Sequence, residues 1–172
     1  MLRRAFSTLA VSAFFIGVFS ILITGCAHHR KLPKWEKPIA KTEFQTIRTT
    51  AYTHTESDHV AYGNHNALGT TLLAGPINSA SADWSRWPAG TLFRILPTGE
   101  TYVVDDYGWA LAGTNTIDLY KPTRFDMNNW GVRRVDIQIL QWGDPRESYR
   151  LLERHENHAH IKRMLQELRG QI

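Results

Sequence analysis

The 172-residue chain contains one cysteine, Cys26, so no intrachain disulfide can form. It also lacks a strong excess of either charge, with 20 basic and 16 acidic residues and a net charge of +4. Loss of Arg3 and Arg4 with an N-terminal signal would lower the net charge to +2. This balance excludes a protein that binds nucleic acid through a basic surface. No internal repeat is present.

Several familiar catalytic patterns are missing as well. His59 with Ser81 or Ser85 lacks the nucleophile-elbow motif of serine hydrolases, and no glycine loop of the phosphate-binding type is present. His54, Asp58 and His59 offer imidazole and carboxylate ligands, but their spacing matches no closed zinc pattern. We therefore expect no metal and no other cofactor. A metal-dependent hydrolase built on these three residues ranks last among the functions considered.

The N-terminal residues have the pattern of a lipoprotein signal. Arg3 and Arg4 precede an apolar run over residues 9–23, which is short for a membrane helix and is followed by Thr24, Gly25 and Cys26. We predict a signal peptide over residues 1–25 and a lipidated Cys26. An ordinary cleaved signal and an anchor helix are the alternatives. The residue after Cys26 is not a retention aspartate, so we expect a lipid-anchored protein of the cell envelope, on the outer membrane and facing the periplasm.

The remaining chain divides by composition into three parts. Residues 26–44 comprise the lipidated cysteine and a linker with two prolines and many lysines, which predicts an extended, solvated spacer. Residues 45–143 are long enough for one globular domain with one core. Residues 144–172 carry a helix signature. Asp144 is a candidate N-cap with proline after it, and an apolar stripe continues to Leu168.

Short segments rich in β-branched and aromatic residues predict strands within the domain. Glycine and proline turns separate them, and the last segment alternates apolar and polar residues, as expected of a half-buried sheet. Many short strands with such turns favour a small, mainly β barrel over a helical bundle. The predicted strands cover residues 46–53, 69–73, 92–96, 102–104, 116–120 and 132–140.

The most informative stretch is residues 101–120, which contains more acid and glycine than a core strand needs. Strand signatures at both ends enclose a turn in which Gly108 and Gly113 allow the chain to double back. The turn would bring Asp106 and Asp118 together. Asp83, just before another turn, is a third candidate acid.

These residues occur in a recognisable order. Ala80-Ser81-Ala82-Asp83 precedes Pro-x-Gly-Thr at 88–91, then Asp-x-Gly-x-Ala-x-x-Gly at 106–113, Ile-Asp-x-Tyr at 117–120 and Trp-Gly-x-Arg-x-Val-x-Ile-x-Ile-Leu at 130–140. The order resembles the three-aspartate (3D) domain, the catalytic part of membrane-bound lytic transglycosylase A and related wall-lytic proteins. The resemblance covers residues 46–142. It implies a six-stranded double-psi β-barrel, here with an added C-terminal helix.

The resemblance also implies a reaction on peptidoglycan glycan strands. The aspartate at the position of Asp118 acts first as acid and then as base, and the sugar's own 6-hydroxyl attacks to leave an anhydro end. By the same match, Asp106 and Asp83 would tune Asp118, since nearby like charges disfavour ionisation. Asp105 is adjacent to Asp106, so either residue can be the site acid. Candidate substrate contacts are Trp84, Trp109, Tyr120 and His54.

Two other interpretations stay open. In the first, the acids have no catalytic role and only cap turns or face solvent, because an aspartate such as Asp106 shortly before a glycine is common in turns. In the second, the barrel binds glycan strands without cleaving them, as expansin-like relatives of this barrel are thought to do. Trp109 favours that alternative, because it fills space that the family's glycine leaves open. Ala112 is a second departure, since the family has a lysine there.

Overall fold

The computed structural model describes residues 31–57 and 59–172. The predicted signal peptide at 1–25, the predicted lipidation site Cys26, the first residues of the linker and Asp58 lie outside the described residues. Residues Leu32–Ile172 form one compact unit. None of the helices in the described ranges is long and apolar enough to cross a bilayer.

Six strands close into one barrel, in the order β1-β5-β2-β4-β3-β6. The pairs β1/β5 and β2/β4 are parallel and the other four are antiparallel. Because parallel neighbours need crossover connections, the chain must pass across the barrel ends. The predicted fold class, a mainly β six-stranded barrel with a helical C-terminal segment, is confirmed. The strands are β1 Phe44–Tyr52, β2 Asn78–Ser81, β3 Leu92–Ile95, β4 Thr101–Asp106, β5 Thr116–Tyr120 and β6 Arg133–Gln141.

One predicted strand is wrong. Residues 69–73 contribute only an isolated bridge between His65 and Thr71, and the second strand lies at Asn78–Ser81 instead. This strand has no β-branched or aromatic residue, so it carries no local strand signature. Its small side chains instead suit a position between two neighbours, with Ser79 and Ala80 fully buried.

The barrel interior is filled from all sides by large apolar residues. Ile117 and Leu119 on β5 and Ile137 on β6 have no exposed surface, and Phe93 stacks on Tyr102 with 5.6 Å between ring centroids. Full burial of such a side chain is worth about 1.5–3 kcal/mol. This core fixes the strand ends that carry the candidate site.

Within the described residues, the α-helices lie after the fifth strand. Helix α1 is Arg124–Trp130, and the C-terminal segment forms α2 Pro145–Glu153 and α3 Ala159–Arg169. Asp144 caps α2 as predicted, accepting from the backbone N–H of Arg146 at 2.8 Å. The prediction of one continuous helix to Leu168 is wrong because residues 154–158, Arg-His-Glu-Asn-His, offer no apolar side chain to the core. The break lets both apolar stripes pack inward, with Leu152, Ile161, Met164, Leu165 and Leu168 buried.

Residues 33–41 of the linker lie along the surface of the domain. The Glu36 N–H donates to the Gly113 carbonyl at 2.8 Å, and Trp35 Nε1 donates to Glu167 Oε1 at 2.9 Å. Most of residues 33–41 are exposed and have no regular secondary structure, but these bonds attach the segment to the domain. Its polar backbone and its tryptophan find partners on α3 and on the connection between β4 and β5.

Candidate functional site

A β-bulge in β4 arranges two of the acids. Ala80 of β2 pairs with Val104 of β4, whereas the next residue, Ser81, pairs with Asp106, so Asp105 is an extra residue without a partner in the ladder. Neighbouring residues of a regular strand face opposite sides, but a bulge re-aims the side chains. Both carboxylates consequently contact the connection between β1 and β2, the β1–β2 loop (residues 53–77).

Asp106 is buried and well supplied with donors. Its Oδ2 accepts from the Tyr52 hydroxyl at 3.1 Å, and its Oδ1 accepts from the backbone N–H of Ala67 and of Tyr107, each at 3.0 Å. Burial raises the pKa of Asp106, while these hydrogen bonds and the nearby His59 act in the opposite direction. Asp106 is 6% exposed, so its contact with a ligand would be limited.

Asp118 lies two strands away and is more accessible. It is half-buried, its Oδ1 accepts from the Thr50 hydroxyl at 2.6 Å, and it pairs with Ser81 across β5 and β2. Since Ser81 also pairs with Asp106, the two acids flank the same residue. Neighbouring strands are about 4.8 Å apart, so the two backbones are roughly 10 Å apart.

The charges of both acids act on the phenol of Tyr52. Burial raises the pKa of its phenol well above the usual value, and the negative charges of Asp106, Asp105 and Asp118 raise it further. All three carboxylates therefore act on one phenol group. The structure brings Asp106 and Asp118 into one region, with Asp105 next to them.

Aromatic rings surround this phenol. The Tyr52 ring is 5.5 Å from that of His59 and 5.6 Å from that of Tyr120. Tyr120 is 4% exposed, and its hydroxyl lies 2.8 Å from Nδ1 of His54 and 3.3 Å from Oδ1 of Asn64. The predicted substrate contacts Tyr120 and His54 thus form one hydrogen-bonded pair beside the acids.

Asp83 belongs to a different network. Its carboxylate accepts from the Ser85 N–H and hydroxyl and from the Gly113 N–H, and Arg86 Nε lies 3.8 Å away. Asp83 has no exposed surface, and burial raises its pKa against the effect of these donors. Its partners lie on the turn after β2 and on the connection between β4 and β5, so its carboxylate stabilises that connection.

The two tryptophans predicted to contact the substrate differ in their exposure. Trp84 is 1% exposed, donates from Nε1 to the Asp106 carbonyl at 2.9 Å and meets the Tyr107 ring edge-on. Trp84 belongs to the buried core, so neither of its ring faces is open to a sugar in this structure. Trp109, on the connection between β4 and β5, is half-buried.

The structure also bears on the histidines. In the part of the chain that the structure describes, no group of three or more His, Cys, Asp or Glu residues is placed to hold a metal. Of the three residues considered for a metal site, Asp58 is outside that part. On α3, burial and the neighbouring His158 lower the pKa of His160 to about 4, so His160 is neutral near pH 7.

Sequence reasoning missed several residues that shape the site. Tyr52 and Thr50 were part of a strand signature only, although both donate to the acids. Asn66, which donates to Asp105 at 2.9 Å, had only a turn signature. The alternation of β1 places Thr50 and Tyr52 on one face, but the sequence does not reveal that β5 lies beside β1.

None of the protein-family models matches the chain. The chain is similar to the cell wall-binding protein YocH of Bacillus subtilis (strain 168), with 31% identity over 96 residues. The match covers 55% of this chain and 32% of that protein.

Proposed function

We propose that the chain is a cell-envelope protein whose barrel binds peptidoglycan glycan strands and cleaves the bond between N-acetylmuramic acid and N-acetylglucosamine. The observation that carries the proposal is the position of Asp106 and Asp118 on either side of Ser81, with both charges acting on Tyr52. The similarity to a protein named for binding cell walls supports the substrate class.

The two acids have different exposures and therefore different proposed roles. Asp118 is half-buried, so its carboxyl can reach a bound sugar, whereas Asp106 is 6% exposed. Asp118 donates a proton to the glycosidic oxygen as the bond from that oxygen to the sugar's C1 breaks. It then accepts the proton of the same sugar's 6-hydroxyl as the oxygen bonds to C1. No water is consumed, and the product ends in a 1,6-anhydro sugar.

A second candidate function is glycan binding without cleavage. The related protein is named for binding, and Trp109 lies half-buried on the connection between the two acid-bearing strands. In this case Asp106 and Asp118 would accept hydrogen bonds from sugar hydroxyls, and a proton transfer would not occur.

Lipid anchoring is also part of the proposal. A lipid on Cys26 would hold the domain at the membrane, with the outer membrane as the proposed location. The basis is the apolar run that ends in Thr-Gly-Cys.

The deciding experiment incubates the full chain, purified in detergent, with peptidoglycan sacculi and identifies released sugars by mass spectrometry. Anhydro-sugar ends are expected. Sacculi that bind the protein but release no sugar would support the binding function and reject cleavage.

A further inference from the structure

The β1–β2 loop is long for a connection in a compact domain, and such loops are usually functional. Its only regular element in the described residues is the short 3-10 turn Val60–Tyr62. Two consecutive residues attach it to the bulge: Asn66 contacts Asp105, and Ala67 contacts Asp106. The loop is therefore fastened at the point where the acids lie.

The side chain of Asn66 makes several hydrogen bonds that support this attachment. Its Oδ1 accepts from the backbone N–H of Leu68 and of Thr70, which closes a tight turn over residues 66–70. Its Nδ2 then donates to the Thr70 hydroxyl and to Asp105 Oδ2, at 2.8 and 2.9 Å. Asn66 is 6% exposed, so water competes little with these bonds.

Asp105 holds the other half of the attachment. Its Oδ2 accepts from Asn66 and, at 2.6 Å, from the Ser79 hydroxyl of β2. Its Oδ1 is buried and accepts no hydrogen bond from any other residue. A buried carboxylate oxygen without a donor is costly, more so when charged.

We propose that Asp105 is a positioning residue which, through a clasp formed with Asn66, holds the β1–β2 loop closed so that the Ala67 N–H fixes Asp106 beside Tyr52. Opening of the clasp releases Ala67 and exposes the region between the acids. What the loop covers rests on the proposed function, whereas the clasp itself rests on the contacts above.

The clasp responds to pH because Asp105 lies among other charged groups. Burial, with Asp106 as a smaller contribution, raises the pKa of Asp105 to about 6, against the hydrogen bonds from Ser79 and Asn66. From β1, the Tyr52 phenol faces the same acids, and His59 of the loop acts on Asp106. β2 contributes the neutral Ser79 hydroxyl.

The direction follows from proton linkage. The closed form binds the Asp105 proton more tightly than an open, hydrated form, so protonation favours closure. Closure is therefore strongest at low pH and weakens as the pH rises through about 6. With an ordinary carboxyl pKa in the open form, the open-to-closed ratio should rise by up to about tenfold between pH 5 and pH 7.

The test measures hydrogen exchange by mass spectrometry on the peptide covering residues 64–73, in the full chain at pH 5 and pH 7. Asp105→Asn keeps an oxygen that accepts from Ser79 and Asn66 but cannot ionise. After the intrinsic rates are divided out, wild-type opening should rise about tenfold over this range. Opening of Asp105→Asn should change much less, with only the contribution of Asp106 left.

Two further variants keep the test decisive. Asn66→Ala removes the clasp and should give fast exchange at both pH values. Asp136→Asn changes an exposed aspartate on β6 and should behave like wild type. The proposal is rejected if wild type and Asp105→Asn have the same pH dependence, or if Asn66→Ala leaves the loop as protected as in wild type.

Binding to sacculi provides the second readout. Wild-type binding should change between pH 5 and pH 7 more than binding by Asp105→Asn. If the wild type does not bind sacculi at either pH but shows the expected change in hydrogen exchange, the proposed function is rejected and the clasp is retained. If the wild type binds sacculi but its hydrogen exchange lacks the expected pH dependence, only the clasp is rejected.

Discussion

Two buried aspartates of this barrel, Asp83 and Asp105, have opposite surroundings. Asp83 receives three hydrogen bonds shared between its two oxygens and has the guanidinium of Arg86 nearby. Asp105 receives both of its side-chain hydrogen bonds on one oxygen, and the other oxygen accepts none from any other residue. The two acids are almost equally buried, so burial alone does not distinguish them.

The difference lies in unused hydrogen-bonding capacity. A buried carboxylate whose oxygens are all engaged is fixed in place and stabilises the segments it joins. One whose second oxygen is engaged by no other residue, with an acid beside it, takes up a proton more readily. We therefore propose that the Asp83 network stabilises the fold and that the bulge acids, with Asp118, serve the function proposed above.

The largest expected effect is on stability. Asp83→Ala removes an acceptor of three buried hydrogen bonds and one of the two carboxylates beside Arg86, which is 4% exposed and would keep only Glu167 at 3.9 Å. The free energy of unfolding in urea should fall by about 3–5 kcal/mol. The exposed Asp136→Ala should change it by less than about 0.5 kcal/mol. A stable Asp83→Ala protein that no longer cleaves sacculi would instead move Asp83 into the site.

Asp118→Asn should have the next largest effect, and on function. It preserves shape and the contact with Thr50 but removes proton donation, so release of anhydro sugars should fall by at least about a hundredfold. Unfolding in urea and binding to sacculi should stay near wild type. Full cleavage by this variant would exclude Asp118 as the acid.

Asp106→Asn should have the smallest effect on the rate. It keeps an oxygen for the Tyr52 hydroxyl but removes a negative charge, and a neighbouring negative charge disfavours ionisation of a carboxyl. The pH optimum of cleavage should therefore move to lower pH, by less than about one unit. A shift to higher pH, or loss as complete as in Asp118→Asn, would contradict this role.

Much of the fold could be predicted because its strands carry local signatures. Five of the six have β-branched or aromatic residues, whereas β2 is made of small residues and is defined by its neighbours. The end of α2 was missed because the helical apolar stripe resumes in α3 and spans the break at residues 154–158.

The site was less predictable than the fold. The acids and the glycine turn are visible in the sequence, and the structure places Asp106 and Asp118 around Ser81. The bulge depends on how β4 pairs with β2, so the sequence could not decide between Asp105 and Asp106. The structure turns both toward the β1–β2 loop.

The attachment of residues 33–41 to the barrel limits how far the domain can travel. If Cys26 carries a lipid, only the six residues 27–32 separate the anchor from Pro33, whose carbonyl already accepts from Arg163 on α3. Six residues and their flanking bonds span about 20–25 Å at full extension. A linker free up to Phe44 would span about 60 Å. With the proposed anchor and the proposed function, the domain would reach only polymer that lies immediately above the lipid surface.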